Sequence, residues 1–225
     1  MEKRPLSALR YDRIQETGAS PRLITVHDHN QKGDALSGLA RAVAPGAHII
    51  GLESYKGVYI GREITGFTWY PGPIDHPPPV FFGDSLIEIE KFLLDELDRQ
   101  GGEQPERPFL LGVRQGAVMA LAAGLVAPDA LSGIIAIEAM LPTVAGWSPP
   151  LAPLDSLPVL IVGDYTLARP RADVLCGPAL AEQLTSWGAT VSYQASEPGT
   201  DASSSIQSWL LAQSPRFGGP EENGS

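Results

Sequence analysis

The sequence predicts a single α/β domain in which a mostly parallel sheet is covered by helices on both faces. Three observations support this fold class. Short apolar runs alternate with longer segments of helical periodicity along most of the chain, which is the pattern of strand–helix–strand units. The chain of 225 residues is long enough to bury a full core. Apolar residues make up 43% of it and charged residues 19%, the balance of an ordinary globular protein.

Buried strands are predicted where short runs of apolar and β-branched residues occur. These runs are residues 23–28, 47–52, 108–112, 133–139, 158–163 and 190–195. Helices are predicted at residues 34–44, 84–100, 115–127, 178–187 and 202–213. The helix at 84–100 has the clearest periodicity, because one apolar stripe is formed by Leu86, Ile87, Ile89, Phe92, Leu93 and Leu97. Asp84 is its expected N-cap.

Residues 66–82 interrupt this alternation with five prolines, at positions 71, 73, 77, 78 and 79. Proline fixes φ and lacks an N–H, which excludes the segment from a central strand or a helix interior. We expect a stiff loop over the carboxyl edge of the sheet, with Trp69 packed against the core. Residues 1–213 then form one domain, and residues 214–225, rich in Gly, Pro and Glu, form a disordered tail.

The most informative motif lies at residues 112–116, which read Gly-Val-Arg-Gln-Gly. An apolar run enters this turn and an Ala-rich helix leaves it, which is the context of the G-x-S-x-G nucleophile elbow. Arg114 stands where that motif has serine. A guanidinium stays protonated at any working pH and does not act as a nucleophile. The motif therefore predicts the fold and argues against the chemistry usually found on it.

From about Leu23 to Leu210 the chain resembles the carboxylesterase/phospholipase family of small bacterial α/β-hydrolases, which are serine esterases without a large cap domain. The resemblance rests on the order and spacing of short segments: His27-Asp28, the helix from Leu36, the aromatic run from Phe67, the turn at 112–116, the strand from Leu157 and the segment from Leu184. It implies the α/β-hydrolase fold, and also a homodimer, since small esterases of this type often pair.

The family's chemistry requires a serine, a histidine and an acid, and the resemblance implies that the triad is replaced here. Arg114 matches the nucleophile, Thr200 matches the histidine, and Asp164 is the acid nearest the third position. All four histidines of the sequence precede the turn at 112–116. His27-Asp28-His29-Asn30-Gln31 replaces the family's glycine-rich oxyanion loop and leaves the Gln115 backbone N–H as the remaining donor. Serine-ester hydrolysis is not expected at this position.

Charged residues end several predicted strands at the edge where open α/β sheets bind ligands. We expect the carboxylates of residues 28, 53, 138 and 164 to cluster around Arg114. The predicted reactive residues of this site are Arg114, Glu138, Asp28 and His27, and the predicted ligand contacts are Gln115, His29, Glu53, Trp69, Tyr70, Asp164 and Thr200. A structural ion pair at Arg114 is the alternative. No spacing is diagnostic of a metal site, so neither a metal nor a cofactor is expected.

Three functions remain open on these residues. The first is an enzyme that carries out a non-hydrolytic reaction of the lyase, isomerase or cyclase type. It would use the pocket that corresponds to the active site of the esterases it resembles, since a fold does not fix a function. The second is a catalytically silent protein that binds a small ligand or a partner in the same cleft. The third is a residual hydrolase in which His27 or His29 is a relocated base.

Composition excludes several classes of partner. The net charge of −10 argues against binding to nucleic acid and to anionic membrane surfaces. Cys176 is the single cysteine, so no internal disulfide forms. The first residues lack the apolar stretch of a signal peptide, and no apolar run approaches the roughly 20 residues that cross a bilayer. These features predict a soluble, cytoplasmic protein whose partner is a small molecule.

Overall fold

A computed structural model of the chain describes residues 7–15, 21–100, 105–164, 173–196 and 201–213. Its strands are β1 (Arg10–Gln15), β2 (Arg22–Val26), β3 (His48–Glu53), β4 (Lys56–Ile60), β5 (Glu63–Thr68), β6 (Phe109–Val113), β7 (Gly133–Leu141), β8 (Pro158–Asp164), β9 (Leu175–Cys176) and β10 (Thr190–Gln194). Its helices are α1 (Ser37–Val43), α2 (Pro79–Gln100), α3 (Gln115–Val126), α4 (Gly177–Ser186) and α5 (Ser203–Gln213).

The main sheet has the strand order β1-β3-β2-β6-β7-β8-β10. Every neighbouring pair from β3 to β10 is parallel, whereas β1 is antiparallel to β3 and β9 is antiparallel to β7. Val26 pairs with Gly112, and Val113 pairs with Ile137. Because these parallel strands run in register, the carboxyl ends of β2, β6 and β7 lie side by side. The predicted mostly parallel sheet is confirmed.

Helices cover both faces of this sheet. Residues of α2, α3 and α4 join one hydrophobic cluster, and residues of α1 and α5 join a second cluster on the other face. Helix α3 is buried over nearly its whole length, from Gln115 to Leu125. Its alanines and glycines carry little side-chain bulk, which lets the helix approach the sheet closely. The carboxyl end of β6 and the first turn of α3 are therefore held rigidly, and this is where the candidate site lies.

The proline-rich segment is shorter than predicted. Strand β5 continues through Gly66 to Thr68, and α2 begins at Pro79, so the irregular loop covers residues 69–78. Asp84 is not the N-cap of the helix but lies in its second turn. The physical reason is that proline is tolerated in the first turn of a helix, where its missing N–H has no intrahelical acceptor.

Three further regions form strands that the apolar pattern does not indicate, and one of them is the two-residue strand β9. Strand β1 is an edge strand with a charged sequence, RYDRIQ, and charged residues are typical of sheet edges. Strands β4 and β5 pair in a separate antiparallel hairpin. Tyr59, Ile60 and Ile64 on this hairpin are exposed, so burial does not leave a clear alternation in the sequence. Between β3 and α2 the chain forms this hairpin and the loop at 69–78.

Parts of the prediction lie outside the described residues. These are the tail at 214–225, Thr200 and the side chain of Asp164. Among the helices that the structure describes, none combines the length and the apolar character needed to cross a membrane.

Candidate functional site

Arg114 occupies the sharp turn between β6 and α3. Its backbone has φ 51° and ψ −111°, a conformation that residues other than glycine rarely adopt. The turn is held by the Arg114 N–H, which donates to the carbonyl of Ile137 at 2.9 Å, and by the Arg114 carbonyl, which accepts from the Val118 N–H at 3.0 Å. This is the strand-to-helix geometry predicted for residues 112–116.

The two glycines of the motif are required by close backbone contacts. A Cβ at Gly112 would overlap the backbone of Gly116, and a Cβ at Gly116 would overlap the carbonyl oxygen of Val26. No flexible side chain lies in either position, so the backbone itself would have to move. The Gly-x-x-x-Gly pattern thus places α3 directly against the end of β2.

Two carboxylates hold the Arg114 side chain. Nε of Arg114 donates to Oε2 of Glu138 at 2.8 Å, and Nη1 lies 3.8 Å from Oδ2 of Asp28. The arginine side chain is 50% exposed, and those of Asp28 and Glu138 are 16% and 19% exposed. Glu138 also has a positive φ, of 48°. The three side chains have a formal charge of −1, so the guanidinium does not make this a simple anion site.

Asp28 accepts the hydrogen bond that begins α3. Its Oδ1 accepts from the backbone N–H of Gln115 at 3.1 Å and from the N–H of His29 at 2.7 Å. The Asp28 N–H in turn donates to Oε1 of Gln31 at 3.0 Å. The N-terminal N–H groups of a helix lack intrahelical acceptors and attract anions. Here a carboxylate of the chain itself fills that position.

His27 lies beneath the site and not in it. Its side chain is buried, and burial lowers its pKa from 6.5 to about 4. Nδ1 lies 2.7 Å from the carbonyl oxygen of Asp28, and Nε2 accepts from the Ser54 N–H at 3.2 Å. Both ring nitrogens are therefore occupied, and the ring stacks on Trp69 at a centroid distance of 4.9 Å. This geometry does not support His27 as a base acting on a ligand.

A cleft of about 320 Å³, lined by Asp28, His29, Gly72, Ile74, Arg114 and Gln115, opens above the turn. This volume is within the range of small-molecule sites. Gly72 and Ile74 were not predicted as site residues, although the proline-rich loop that carries them was predicted to cross this edge. Only the stiffness of the loop was readable from its sequence. Which of its residues face the cleft depends on how the loop is folded.

Several predicted ligand contacts are placed elsewhere. Trp69 and Tyr70 are fully buried: the indole N–H of Trp69 donates to the carbonyl of His27 at 2.8 Å, and the Tyr70 hydroxyl donates to the carbonyl of Ile74 at 3.1 Å. The packing role expected for Trp69 is what the structure shows. Glu53 accepts from the Gly33 N–H at 3.2 Å and does not line the cleft. Of the four expected carboxylates, the described side chains bring Asp28 and Glu138 to Arg114.

In the described part of the chain, no group of three or more His, Cys, Asp or Glu side chains is arranged to hold a metal ion. The groups gathered at Arg114 are a cation, two carboxylates and the His29 imidazole. This set can donate hydrogen bonds to an acceptor oxygen, accept from a hydroxyl or amine, and transfer a proton.

Comparison with known proteins places the fold among carboxylesterases. No family model matches the chain. The curated protein "Putative esterase NocK" of Nocardia uniformis subsp. tsuyamanensis is 29% identical over 125 residues, which are 54% of this chain and 34% of that protein. The chain thus spans about a third of the length of the curated relative it matches.

Solved structures match over much more of the chain. A carboxylesterase from Mesorhizobium loti has a TM-score of 0.67 at 18% identity and covers 84% of this chain and 88% of its own. The Bacillus cereus carboxylesterase has a TM-score of 0.68 at 16% identity and covers 94% and 95%. At this identity the likeness establishes the fold alone. The chain has the α/β-hydrolase fold of these carboxylesterases.

Proposed function

We propose that the cleft at Arg114 binds a small molecule and acts on it without an acyl-enzyme, in a reaction of the lyase, isomerase or cyclase type. The observation that carries this proposal is the guanidinium at the elbow, held between Asp28 and Glu138 at the mouth of a cleft. In such a reaction Arg114 would donate hydrogen bonds to a carbonyl or carboxylate oxygen of the ligand and stabilise negative charge that develops there.

Three features of the site support the absence of serine-ester chemistry. The turn position that would carry the nucleophile carries an arginine. The Gln115 N–H, which would stabilise a tetrahedral oxyanion, donates to the Asp28 carboxylate. His27 has both nitrogens engaged beneath the site. An oxyanion at the Gln115 N–H would have to displace the Asp28 carboxylate and would be repelled by it.

A second candidate function is binding without catalysis. The observation that favours it is the same set of ion pairs. A guanidinium and two carboxylates can form ion pairs that serve only the structure, without taking part in a reaction. The two candidates differ in one outcome, which is whether a ligand of the cleft is converted. The homodimer and the cytoplasmic location implied by the sequence stay predictions.

Ligand identification tests whether the cleft is used. Native mass spectrometry of protein purified from its own host should show a co-purifying small molecule, and Arg114→Ala should lose it. Arg107→Ala is the matched control, since Arg107 precedes β6 at the opposite edge of the sheet. Conversion of the identified molecule by the wild type, and not by Glu138→Ala, supports an enzyme. Retention of the molecule by Arg114→Ala contradicts the proposed site.

Covalent probes test the absence of an acyl-enzyme. A fluorophosphonate should not label the chain, and p-nitrophenyl esters should not be turned over. Arg114→Ser alone should restore neither activity, because Asp28 still occupies the Gln115 N–H and Thr200 stands where the resemblance places the histidine of the triad. Rapid ester cleavage by that variant would show that the assignment of the turn position, or of its neighbours, is wrong.

A further inference from the structure

We propose that His29 is the proton acceptor of this cleft and that Thr68, itself oriented by Gln115, fixes the acceptor lone pair on Nε2. The inference rests on the proposed function for its role in a reaction. The placement of the proton on the ring is independent of that function. It follows from the hydrogen-bonding capacity of three neighbouring groups.

The first step fixes the amide of Gln115. Its Oε1 lies 2.9 Å from the backbone nitrogen of Trp69, and its Nε2 lies 2.9 Å from the carbonyl oxygen of Tyr70. A backbone N–H only donates and a carbonyl oxygen only accepts. The amide orientation therefore follows from its partners, with the oxygen toward Trp69 and the nitrogen toward Tyr70.

The second step fixes the hydroxyl of Thr68. Its Oγ1 lies 2.7 Å from the carbonyl oxygen of Tyr70 and 2.9 Å from Oε1 of Gln115. Both of these oxygens are acceptors, and a hydroxyl has one proton to donate. If the proton went to a third neighbour, both of these close oxygen–oxygen contacts would lack a proton and would be repulsive. Donation to one of the two oxygens satisfies that contact, so the hydroxyl proton goes to an oxygen and a lone pair faces the third neighbour.

The third step places the proton on His29. Nδ1 of His29 lies 2.9 Å from Oγ1 of Thr68. Since the Thr68 proton is directed to a carbonyl-type oxygen, this contact is a hydrogen bond only if Nδ1–H donates to Oγ1. A neutral imidazole that carries its proton on Nδ1 has its lone pair on Nε2.

The two ends of this chain of hydrogen bonds differ in their exposure to solvent. Thr68 and Gln115 are 5% and 1% exposed, so their orientations are protected from exchange with water. His29 is exposed and lines the cleft together with Arg114. Within the described part of the chain, Nε2 of His29 has no hydrogen-bond partner. His27, by contrast, has both nitrogens engaged.

The arrangement defines a class of substrate. With a carbonyl oxygen bound by Arg114, His29 would take a proton from the carbon next to that carbonyl. The C–H bond breaks, an N–H bond forms at Nε2, and the electron pair moves to the oxygen, which becomes an enolate beside the guanidinium. No oxidant or reductant is consumed. The substrate class is a carbonyl compound with an acidic adjacent C–H, which is the starting point of many eliminations and isomerisations.

Nitrogen-15 NMR with long-range proton correlation tests the placement of the proton. In the wild type at a pH where His29 is neutral, His29 should show the Nδ1–H tautomer. Thr68→Val removes the acceptor oxygen and should give a mixture of tautomers, whereas Thr68→Ser keeps the hydroxyl and should restore the wild-type pattern. His27 serves as the internal control, because its partners are Asp28 and Ser54 and it should not change.

A chemical probe tests the accessibility of the lone pair. Diethylpyrocarbonate acylates an accessible neutral imidazole at the nitrogen with the lone pair, so His29 should be modified at Nε2 and His27 should be protected. Thr68→Val should slow the reaction at Nε2 about two-fold, because equal tautomer populations halve the lone pair on that atom. An Nε2–H tautomer in the wild type, or an unmodified His29, overturns the proposal. A confirmed tautomer with no converted ligand leaves this inference standing and contradicts the proposed function alone.

Discussion

Arg114 and Glu138 are both in backbone conformations that glycine tolerates best, with φ of 51° and 48°, and their side chains form an ion pair at 2.8 Å. A residue in such a conformation costs about 1–3 kcal/mol. A partly exposed ion pair contributes about 0–1 kcal/mol. The pair therefore does not offset its own backbone strain. Residues with strained backbones cluster at functional sites, which supports a use for this pair.

Glycine should be more stable than alanine at both positions. Arg114→Gly should exceed Arg114→Ala in free energy of unfolding by about 1 kcal/mol, and Glu138→Gly should exceed Glu138→Ala by a similar amount, because glycine adopts positive φ without a steric penalty. Urea unfolding measures both pairs. Ala181 in α4 is the control, since Ala181→Gly in a helix should cost about 1 kcal/mol. Greater stability of alanine at 114 and 138 would contradict the strain.

His27 should make the protein less stable in mild acid. Its folded pKa of about 4 is below its ordinary value of 6.5 because the ring is buried. Between these two values the unfolded chain binds a proton that the folded chain does not bind, so the free energy of unfolding falls as pH decreases from 6.5 to 4. The full effect of this one group is about 3 kcal/mol.

Urea unfolding at a series of pH values measures this loss. His27→Gln should flatten the dependence between pH 4 and 6.5, whereas His76→Gln, which replaces an exposed ring, should leave it unchanged. An NMR titration of the wild type gives the His27 pKa directly and does not depend on the variant folding. Titration of that ring near 6.5 would show that it is not desolvated.

At the scale of helices and strands, the close contact between α3 and β2 depends on a single missing side chain. Gly116→Ala should lower the free energy of unfolding by more than about 3 kcal/mol, because its Cβ would overlap the Val26 carbonyl oxygen. Gly83→Ala in α2 is the matched control. A Cβ there meets no atom within 4 Å, so the change should stabilise the protein by about 0.5–1 kcal/mol. Thermal or urea unfolding compares the two variants.

The elements that were predictable are those whose pattern is set by burial. Six strands of the main sheet and the five α-helices of the described residues were expected close to their observed positions, because both faces of the sheet are covered and its strands are almost continuously apolar. The start of α2 at Pro79 was missed because proline at a first helical turn leaves no apolar period. Strand β1 and the hairpin of β4 and β5 were missed because exposed edges carry no regular alternation.

The same limit applies to the site. Arg114, Asp28 and Glu138 were predicted because residues that end parallel strands meet at one edge. Thr68 and the wall formed by Gly72 and Ile74 were not, because loop conformation decides which of their atoms face inward. Glu53 also ends a strand, but its carboxylate accepts a hydrogen bond from the Gly33 N–H. Strand position indicates a side chain's neighbourhood, and the local hydrogen bonds decide its direction.

At the scale of the whole molecule, the two hydrophobic clusters share one sheet and should unfold together. Ile206 in α5 is fully buried on the face opposite α3. Ile206→Ala should lower the free energy of unfolding by about 2–4 kcal/mol, and hydrogen exchange of the α3 amides should become faster by a corresponding factor. Leu211→Ala in the same helix, at a side chain 69% exposed, should change stability by less than about 0.5 kcal/mol. Unchanged α3 exchange in Ile206→Ala would indicate two independently folding layers.

The prolines of the loop at 69–78 have a kinetic consequence for whatever enters the cleft. Residues 71, 73, 77 and 78 are prolines. They restrict the backbone of the loop that carries Gly72 and Ile74 before a ligand binds. The loop therefore loses little conformational entropy when a ligand binds. Capture should accordingly occur in one bimolecular event, with an observed rate that rises in proportion to concentration and shows no plateau from a closing motion.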